Sequence, residues 1–175
     1  DGTGKTIQVS NTSLYGDTIV VNTIDVVRGN RKIYCNNSSG VFKNGDYLHI
    51  YSDSLYATSN YHLGELAQVE YAGNDSIVLF EPIIATYRLE DNIRLAKLNL
   101  RNGLVLRDGT IMPSDNYITS GTSSGIDFKG ISNLLIDNMH FKSFFQSSIK
   151  IDYCYNASIR NSSGVGNRLS GFGYG

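Results

Sequence analysis

Four charged residues in the second half of the chain make the clearest case for chemistry. Asp127 and Lys129 are followed by Lys150 and Asp152, each 23 residues further on (150 − 127 and 152 − 129). Inverting glycoside hydrolysis needs two carboxyls about 6.5–9.5 Å apart, with room for a water between them. If strands one repeat apart lie side by side, Asp127 and Asp152 become diagonal neighbours at roughly 7–8 Å. They can then act as base and acid, with Lys150 between them as a substrate contact. The flanking lysines favour the ionised carboxylates, which suits a base and handicaps an acid. A purely structural account of the same residues also holds, because vertical neighbours of alternating sign stabilise stacked strands modestly. Arg107, Asp137 and Arg160 form a second column of that kind.

Tyrosine is the other informative residue type, with 12 Tyr and no Trp. Tyr51, Tyr56, Tyr61, Tyr71 and Tyr87 fall within or beside polar stretches of the middle third. An aromatic face with a hydroxyl handle suits a sugar ring and equally suits a subunit interface. Tyr51, Tyr56, Tyr61 and Tyr87 are therefore candidate substrate-binding residues. His140 shares an outward column with Thr110 and Ser163, and His49 and His62 lie in the middle third; no Ser/His/Asp or Cys/His set is visible. Cys35 and Cys154 lack metal-ligand spacing and read as buried thiols, so neither a metal nor a cofactor is expected.

The element that must position these residues is a repeat. Gly103-Leu104-Val105-Leu106-Arg107-Asp108 aligns with Asn133-Leu134-Leu135-Ile136-Asp137-Asn138 and then with Asn156-Ala157-Ser158-Ile159-Arg160-Asn161. The offsets are 30 (133 − 103) and 23 (156 − 133). A second register sets Ile126-Asp127-Phe128, Ile149-Lys150-Ile151 and Phe172-Gly173-Tyr174 at 23-residue intervals. Periods of this length with several short strands each belong to β-solenoids. Leu106, Ile136 and Ile159 occupy one inward column, and Leu104, Leu134 and Ala157 another. The column holding Asp108, Asn138 and Asn161 supplies short side chains that tolerate tight bends and can bond from coil to coil.

Composition agrees. The chain has 175 residues, 18% of them charged, 18 Gly, 2 Pro and a net charge of −1. No segment has helical periodicity, and Asn, Ser, Ile, Val and Tyr dominate, as in β-rich proteins. A balanced charge with no basic cluster argues against a nucleic-acid partner. No apolar run reaches the length of about 20 residues that a membrane span requires. The GKT at residues 4–6 precedes a strand-like Ile7-Gln8-Val9-Ser10 instead of a helix, so it reads as a turn and not as a phosphate loop. Six Asn-x-Ser/Thr sequons are what chance supplies in such a composition.

In chain order, residues 1–45 read as the first coil strands, and 46–99 as an inserted antiparallel β unit with surface loops at 52–64 and 81–91. The turn Ala72-Gly73-Asn74-Asp75 marks a hairpin there. Residues 100–175 hold the coils proper, and the extra length of the first coil (30 residues against 23) falls in a protruding loop at 112–117. The chain begins without a Met and stops within a coil that nothing caps, so it reads as a piece of a longer protein whose isolated form does not cleave glycans.

With "SNLLIDNMHF" and "YNASIRNSSG" in the coils, the chain resembles the right-handed parallel β-helix of the pectate-lyase-like superfamily. The stretch "NGDYLHIYSD…GELAQVEYAGNDSIVLFEPI…NIRLAKLN" is similar to the insertion ahead of the coils in bacteriophage tailspike and tail appendage proteins. The resemblance implies an all-β fold, a right-handed parallel β-helix with a small inserted antiparallel subdomain. It also implies a homotrimer on a virion tail, extracellular and joined to other tail proteins, that binds and depolymerises a bacterial surface polysaccharide. Relatives of this kind include hydrolases, lyases and proteins that only bind, so enzyme activity stays open and no catalytic residue carries over. A non-catalytic glycan-binding or structural appendage, and a secreted bacterial pectate-lyase-like enzyme, remain as alternatives.

Overall fold

In the computed structural model the described residues are 7–55, 61–112, 124–142, 147–165 and 173–174, with side chains described at all of these except 124, 147, 173 and 174. Residues 4–6, with the GKT, lie outside them. The strands are β1 (Ile7–Ser10), β2 (Tyr15–Val20), β3 (Lys32–Tyr34), β4 (Tyr47–Leu55), β5 (His62–Ala72), β6 (Ser76–Leu79) and β7 (Arg94–Leu98). They continue with β8 (Arg101–Ile111), β9 (Ser124–Lys129), β10 (Ile131–Lys142), β11 (Ser147–Asp152), β12 (Ser158–Arg160), β13 (Ser163–Val165) and β14 (Gly173–Tyr174). Two short 3-10 turns, Ser38–Gly40 and Leu89–Asp91, are the only helical segments among the described residues. The chain divides into two compact units, one of residues 1–12 and 100–175, the other of residues 13–99.

The first unit contains two parallel sheets. One has the order β1-β9-β11-β14; in the other, β10 pairs with β8 on one side and with β12 and β13 on the other. Leu106 lies beside Ile136 and Ile136 beside Ile159, so the inward column read from the repeat is a continuous file. Ile7, Ile126 and Ile149 form a second file, as do Val9, Phe128 and Ile151. Ile136 and Phe141 are fully buried at its centre, while Leu104, Leu106 and Ile159 pack against that core from partly buried positions.

The bends between strands come from the Asx columns. Asp108, Asn138 and Asn161 have φ of 57°, 51° and 51°, and Gly103, Asn133 and Asn156 have 72°, 58° and 55°. This left-handed conformation penalises most side chains but admits Gly, Asn and Asp. The same side chains tie one level to the next. Asn133 Nδ2 donates to Asn102 Oδ1 at 2.8 Å, Asn156 Nδ2 to Asn133 Oδ1 at 2.6 Å, and Asn138 Nδ2 to Asp108 Oδ1 at 2.9 Å. Asn161 departs from its column and donates to Asp137 Oδ1 at 2.9 Å.

The second unit is a six-stranded antiparallel sheet of order β2-β7-β4-β5-β6-β3. It is larger than the sequence reading of 46–99. Of the described residues among 1–45, only Ile7–Ser10 joins a parallel sheet; β2 pairs antiparallel with β7 (Ile19 beside Leu95), and β3 with β6 (Ile33 beside Ile77). Val21, Val26, Ile33 and Cys35 accordingly bury in the same core as Leu48, Ile50, Val69 and Leu95. The expected hairpin at 72–75 joins β5 to β6, closed by Gly73 N–H donating to the Ser76 carbonyl at 2.8 Å. The stretch 81–91 is not a free surface loop: Ile83 and Tyr87 drop into the core, and Tyr87 bridges to Val26.

Candidate functional site

In the first unit, register brings the four sequence-predicted charges together. Asp127 on β9 lies beside Lys150 on β11, and Lys129 lies beside Asp152. Strand spacing and rise place Asp127 and Asp152, one strand over and two residues along, about 8 Å apart at the backbone. An acid and a base with a water between them need carboxyls about 6.5–9.5 Å apart, a separation that this backbone spacing permits. The burial differs from the expected open column. Asp127 is only 6% exposed, on a central strand flanked by β1 and β11, whereas Lys150 and Asp152 are half-buried. Beside them the Lys129 ammonium stands 5.6 Å from the Tyr153 ring centre. Tyr153 has φ of 49°, an unfavoured conformation for an aromatic residue, one repeat after Gly130 at 71°.

The other charged column is accounted for by cross-level contacts. Asp137 pairs in register with Arg107 and Arg160 and lies 3.5 Å from Arg160 Nε. His140 Nδ1 and Ser163 Oγ share a hydrogen bond at 2.8 Å. Among the described residues no three His, Cys, Asp or Glu side chains converge as a metal-binding group.

In the second unit, β4 alternates strictly. Leu48, Ile50 and Ser52 are buried, and His49, Tyr51 and Asp53 point to the other face. The His49 and Tyr51 rings stack with centroids 4.8 Å apart, and the Tyr15 ring on β2 stands 6.1 Å from His49 with its hydroxyl 3.3 Å from Nδ1. Arg94 on β7 sits directly beside Tyr51, its guanidinium 5.6 Å from that ring. The same guanidinium grips Asp53 through Nη1 at 2.7 Å and Nη2 at 3.3 Å, and Asn92 Nδ2 donates to Asp53 Oδ2 at 2.7 Å. These bonds from Arg94 and then Asn92 hold the Asp53 carboxyl below the usual carboxylate range. Burial lowers His49 to about 4, so the imidazole is neutral at physiological pH. Gly64, opposite Tyr51 on β5, makes room for the stack: a Cβ there would lie 2.6 Å from His49 Nε2.

The tyrosines singled out from sequence separate. Tyr51 belongs to this face, and Tyr61 is 79% exposed just before β5. Tyr56 lies outside the described residues. Tyr87 is fully buried, and its hydroxyl donates to Glu65 Oε1 at 2.9 Å. That carboxylate also accepts from the Ile84 and Ala85 amides at 2.8 and 3.2 Å. Tyr87 is therefore a core residue that ties down 81–91, and it presents no face to a sugar. Sequence reasoning missed Tyr15, His49, Asp53, Asn92, Arg94 and Gly64. The visible signal was the Tyr47-x-His49-x-Tyr51-x-Asp53 alternation.

No protein-family model matches the chain, and no curated protein matches it. Among solved structures it is similar to the tailspike protein gp49 from Pseudomonas phage LKA1, with a TM-score of 0.64 at 18% identity over 97% of this chain and 28% of that one. It is also similar to the phi297 tailspike gp61 of Pseudomonas phage, with a TM-score of 0.53 at 14% identity over 91% and 33%. A third is the Gp54 tailspike of Acinetobacter baumannii bacteriophage AP22, solved in complex with A. baumannii capsular saccharide, with a TM-score of 0.51 at 14% identity over 89% and 34%. At these identities the likeness is one of fold, and the chain spans about a third or less of the length of each tailspike.

Proposed function

We propose that this chain is part of a phage tailspike-type appendage that binds a bacterial surface polysaccharide, extracellularly on a virion tail. The supporting observation is the fold likeness to tailspikes over 97% of the chain, together with a similar tailspike that was solved with a capsular saccharide. In this reading the first unit forms coils of a right-handed, pectate-lyase-like parallel β-helix, and the molecule assembles as a homotrimer with other tail proteins. Parallel files spaced by 30 and 23 residues support the helical part (136 − 106 and 159 − 136).

Depolymerisation is the finer part of the proposal. Asp152, half-buried, protonates the leaving glycosidic oxygen, and Asp127 activates the water, with Lys150 between them as a substrate contact. A non-catalytic, binding-only appendage is favoured by one feature, the 6% exposure of Asp127, which keeps its carboxyl from solvent in this arrangement. The experiment incubates the 175-residue chain, and any longer polypeptide that contains it, with purified bacterial capsule and lipopolysaccharide, then measures binding and sizes the products. Expected are binding to one polysaccharide and shortening by the longer form, abolished by Asp127→Asn or Asp152→Asn. Undiminished shortening in both variants removes the pair, binding without shortening selects the non-catalytic reading, and no binding by either form overturns the proposal.

A further inference from the structure

The outward face of β4 and β7 has a chemistry of its own. We infer that this face, formed by Tyr15, Tyr51, Asp53, Asn92 and Arg94, is a contact site for an uncharged pyranose unit of a glycan. The inference rests on the polysaccharide-binding reading above but places contact in the antiparallel unit, apart from the Asp127–Asp152 file.

Three observations carry it. The first is the adjacency of aromatic and planar polar groups. A pyranose presents an apolar C–H face and a rim of hydroxyls, each both donor and acceptor. Tyr15 is 47% exposed beside the His49–Tyr51 stack. Two residues beyond Tyr51 on the same strand stands the Asp53 carboxylate, hydrogen-bonded to the Arg94 guanidinium at the start of β7 and to the Asn92 carboxamide just before it. Aromatic rings favour the sugar face, and planar groups match pairs of adjacent hydroxyls.

The second observation is remaining bonding capacity at an accessible position. The Asp53 and Arg94 side chains are 44% and 33% exposed. A guanidinium has five N–H groups, and the pair with Asp53 uses two of them. Asn92 uses one amide N–H on Asp53, and its carbonyl oxygen remains an acceptor.

The third is charge. Arg94 and Asp53 neutralise each other within one ion pair, and the neighbouring His49 is neutral. A uronate or sialate carboxylate would find no uncompensated cation among these residues, whereas hydroxyls lose nothing by that balance. This selects uncharged sugars. Gly64 completes the design, because any larger residue drives the His49 ring from its place beside Tyr51.

The test is backbone amide chemical-shift mapping on the full 175-residue chain, titrated separately with methyl α-D-glucopyranoside, methyl α-D-galactopyranoside and sodium glucuronate. The expected result is saturable shifts at 49–53, 62–64 and 92–96 with at least one neutral glycoside, and weaker shifts with glucuronate. Arg94→Met and Asp53→Asn should each weaken that binding about tenfold, the effect of losing one charge-assisted hydrogen bond. Gly64→Ala, with the polar set untouched, should weaken it through the displaced stack. Shifts confined to 100–165 would overturn this assignment while leaving polysaccharide binding intact. So would binding of glucuronate as tight as that of the glycosides, or no shift with any of the three. If both variants bind like the parent chain, Asp53–Arg94 is a structural tie and the inference falls.

Discussion

The His49 stack makes a quantitative prediction about acid stability. The imidazole is packed by Tyr15 on β2, Tyr51 on its own strand and Gly64 on β5, with Arg94 of β7 on Tyr51. Burial there disfavours the cation, so the folded value falls to about 4 from 6.5. As pH drops below 6.5 the unfolded chain takes up a proton that the folded chain refuses, and folding stability falls with it. The contribution is whole above 6.5 and is lost as pH falls toward 4. One proton of difference gives a slope of at most about 1.4 kcal/mol per pH unit, and the whole interval is worth about 3 kcal/mol. Asp53, whose carboxyl is also held low, loses its contribution only at lower pH, below its ordinary 3.8. Urea unfolding at pH 7.0, 6.0 and 5.0, followed by near-ultraviolet tyrosine dichroism, measures the effect. Eight of the 12 tyrosines lie within residues 13–99 (15, 34, 47, 51, 56, 61, 71 and 87), so the signal reports mainly on this unit. His49→Gln keeps a neutral hydrogen-bonding group beside the Tyr15 hydroxyl and should flatten the slope between pH 7 and 5. Equal slopes in variant and parent would show that the ring is not held neutral by its packing.

Two further outcomes test the first unit. Ile136→Ala, fully buried mid-file between Leu106 and Ile159, should cost about 2–5 kcal/mol in urea unfolding, and Leu106→Ala, only partly buried, less; a larger loss at Leu106 would contradict the file. At Asn138, with φ of 51°, Gly should be better tolerated than Ala by about 1 kcal/mol, the reverse of the usual strand preference, since both lose the bond to Asp108 and only Ala bears the left-handed strain. A variant pair in which Ala is the more stable would refute the role of that column.

The parallel sheets were legible because their strand pairings recur along the sequence as a period. Residues that become neighbours, such as Leu106, Ile136 and Ile159, are separated by a repeat that the chain displays against itself. The Asx columns were equally visible, since left-handed bends restrict residue choice. Asn161 escaped because it exchanges its column neighbour for the Asp137 carboxylate, a stronger acceptor that no alignment marks. The antiparallel unit has no such period. β2 is an edge strand with nearly every residue exposed, so it shows no alternation, and its partners lie around residue 95. A pairing between Ile33 and Ile77 is set by the closed core, not by local pattern, which is why 13–45 read as coils.

The same distinction explains the sites. Alternation places Asp127, Lys150 and Asp152 on one side of their strands, and register then brings them together, but alternation does not say what covers a position. Asp127 can therefore occupy an outward column and still be 6% exposed. Tyr87 fails for the related reason that residue type does not reveal a partner, here a carboxylate 22 residues earlier that satisfies its hydroxyl in the core. On β4 the alternation did point the right way, yet Asp53 meets Arg94, which lies 41 positions later in the chain. The two candidate glycan contacts fall in different compact units, with different charge balance, and this makes them separable. A site built on Asp127, Lys150 and Asp152 carries charge to a bond being broken, and a site built on Tyr15, Tyr51 and the Asp53–Arg94 pair carries none to spare. If the polysaccharide reading is right, depolymerisation should respond to carboxylate substitutions in the first unit, and affinity for neutral sugar units should respond to substitutions in the second.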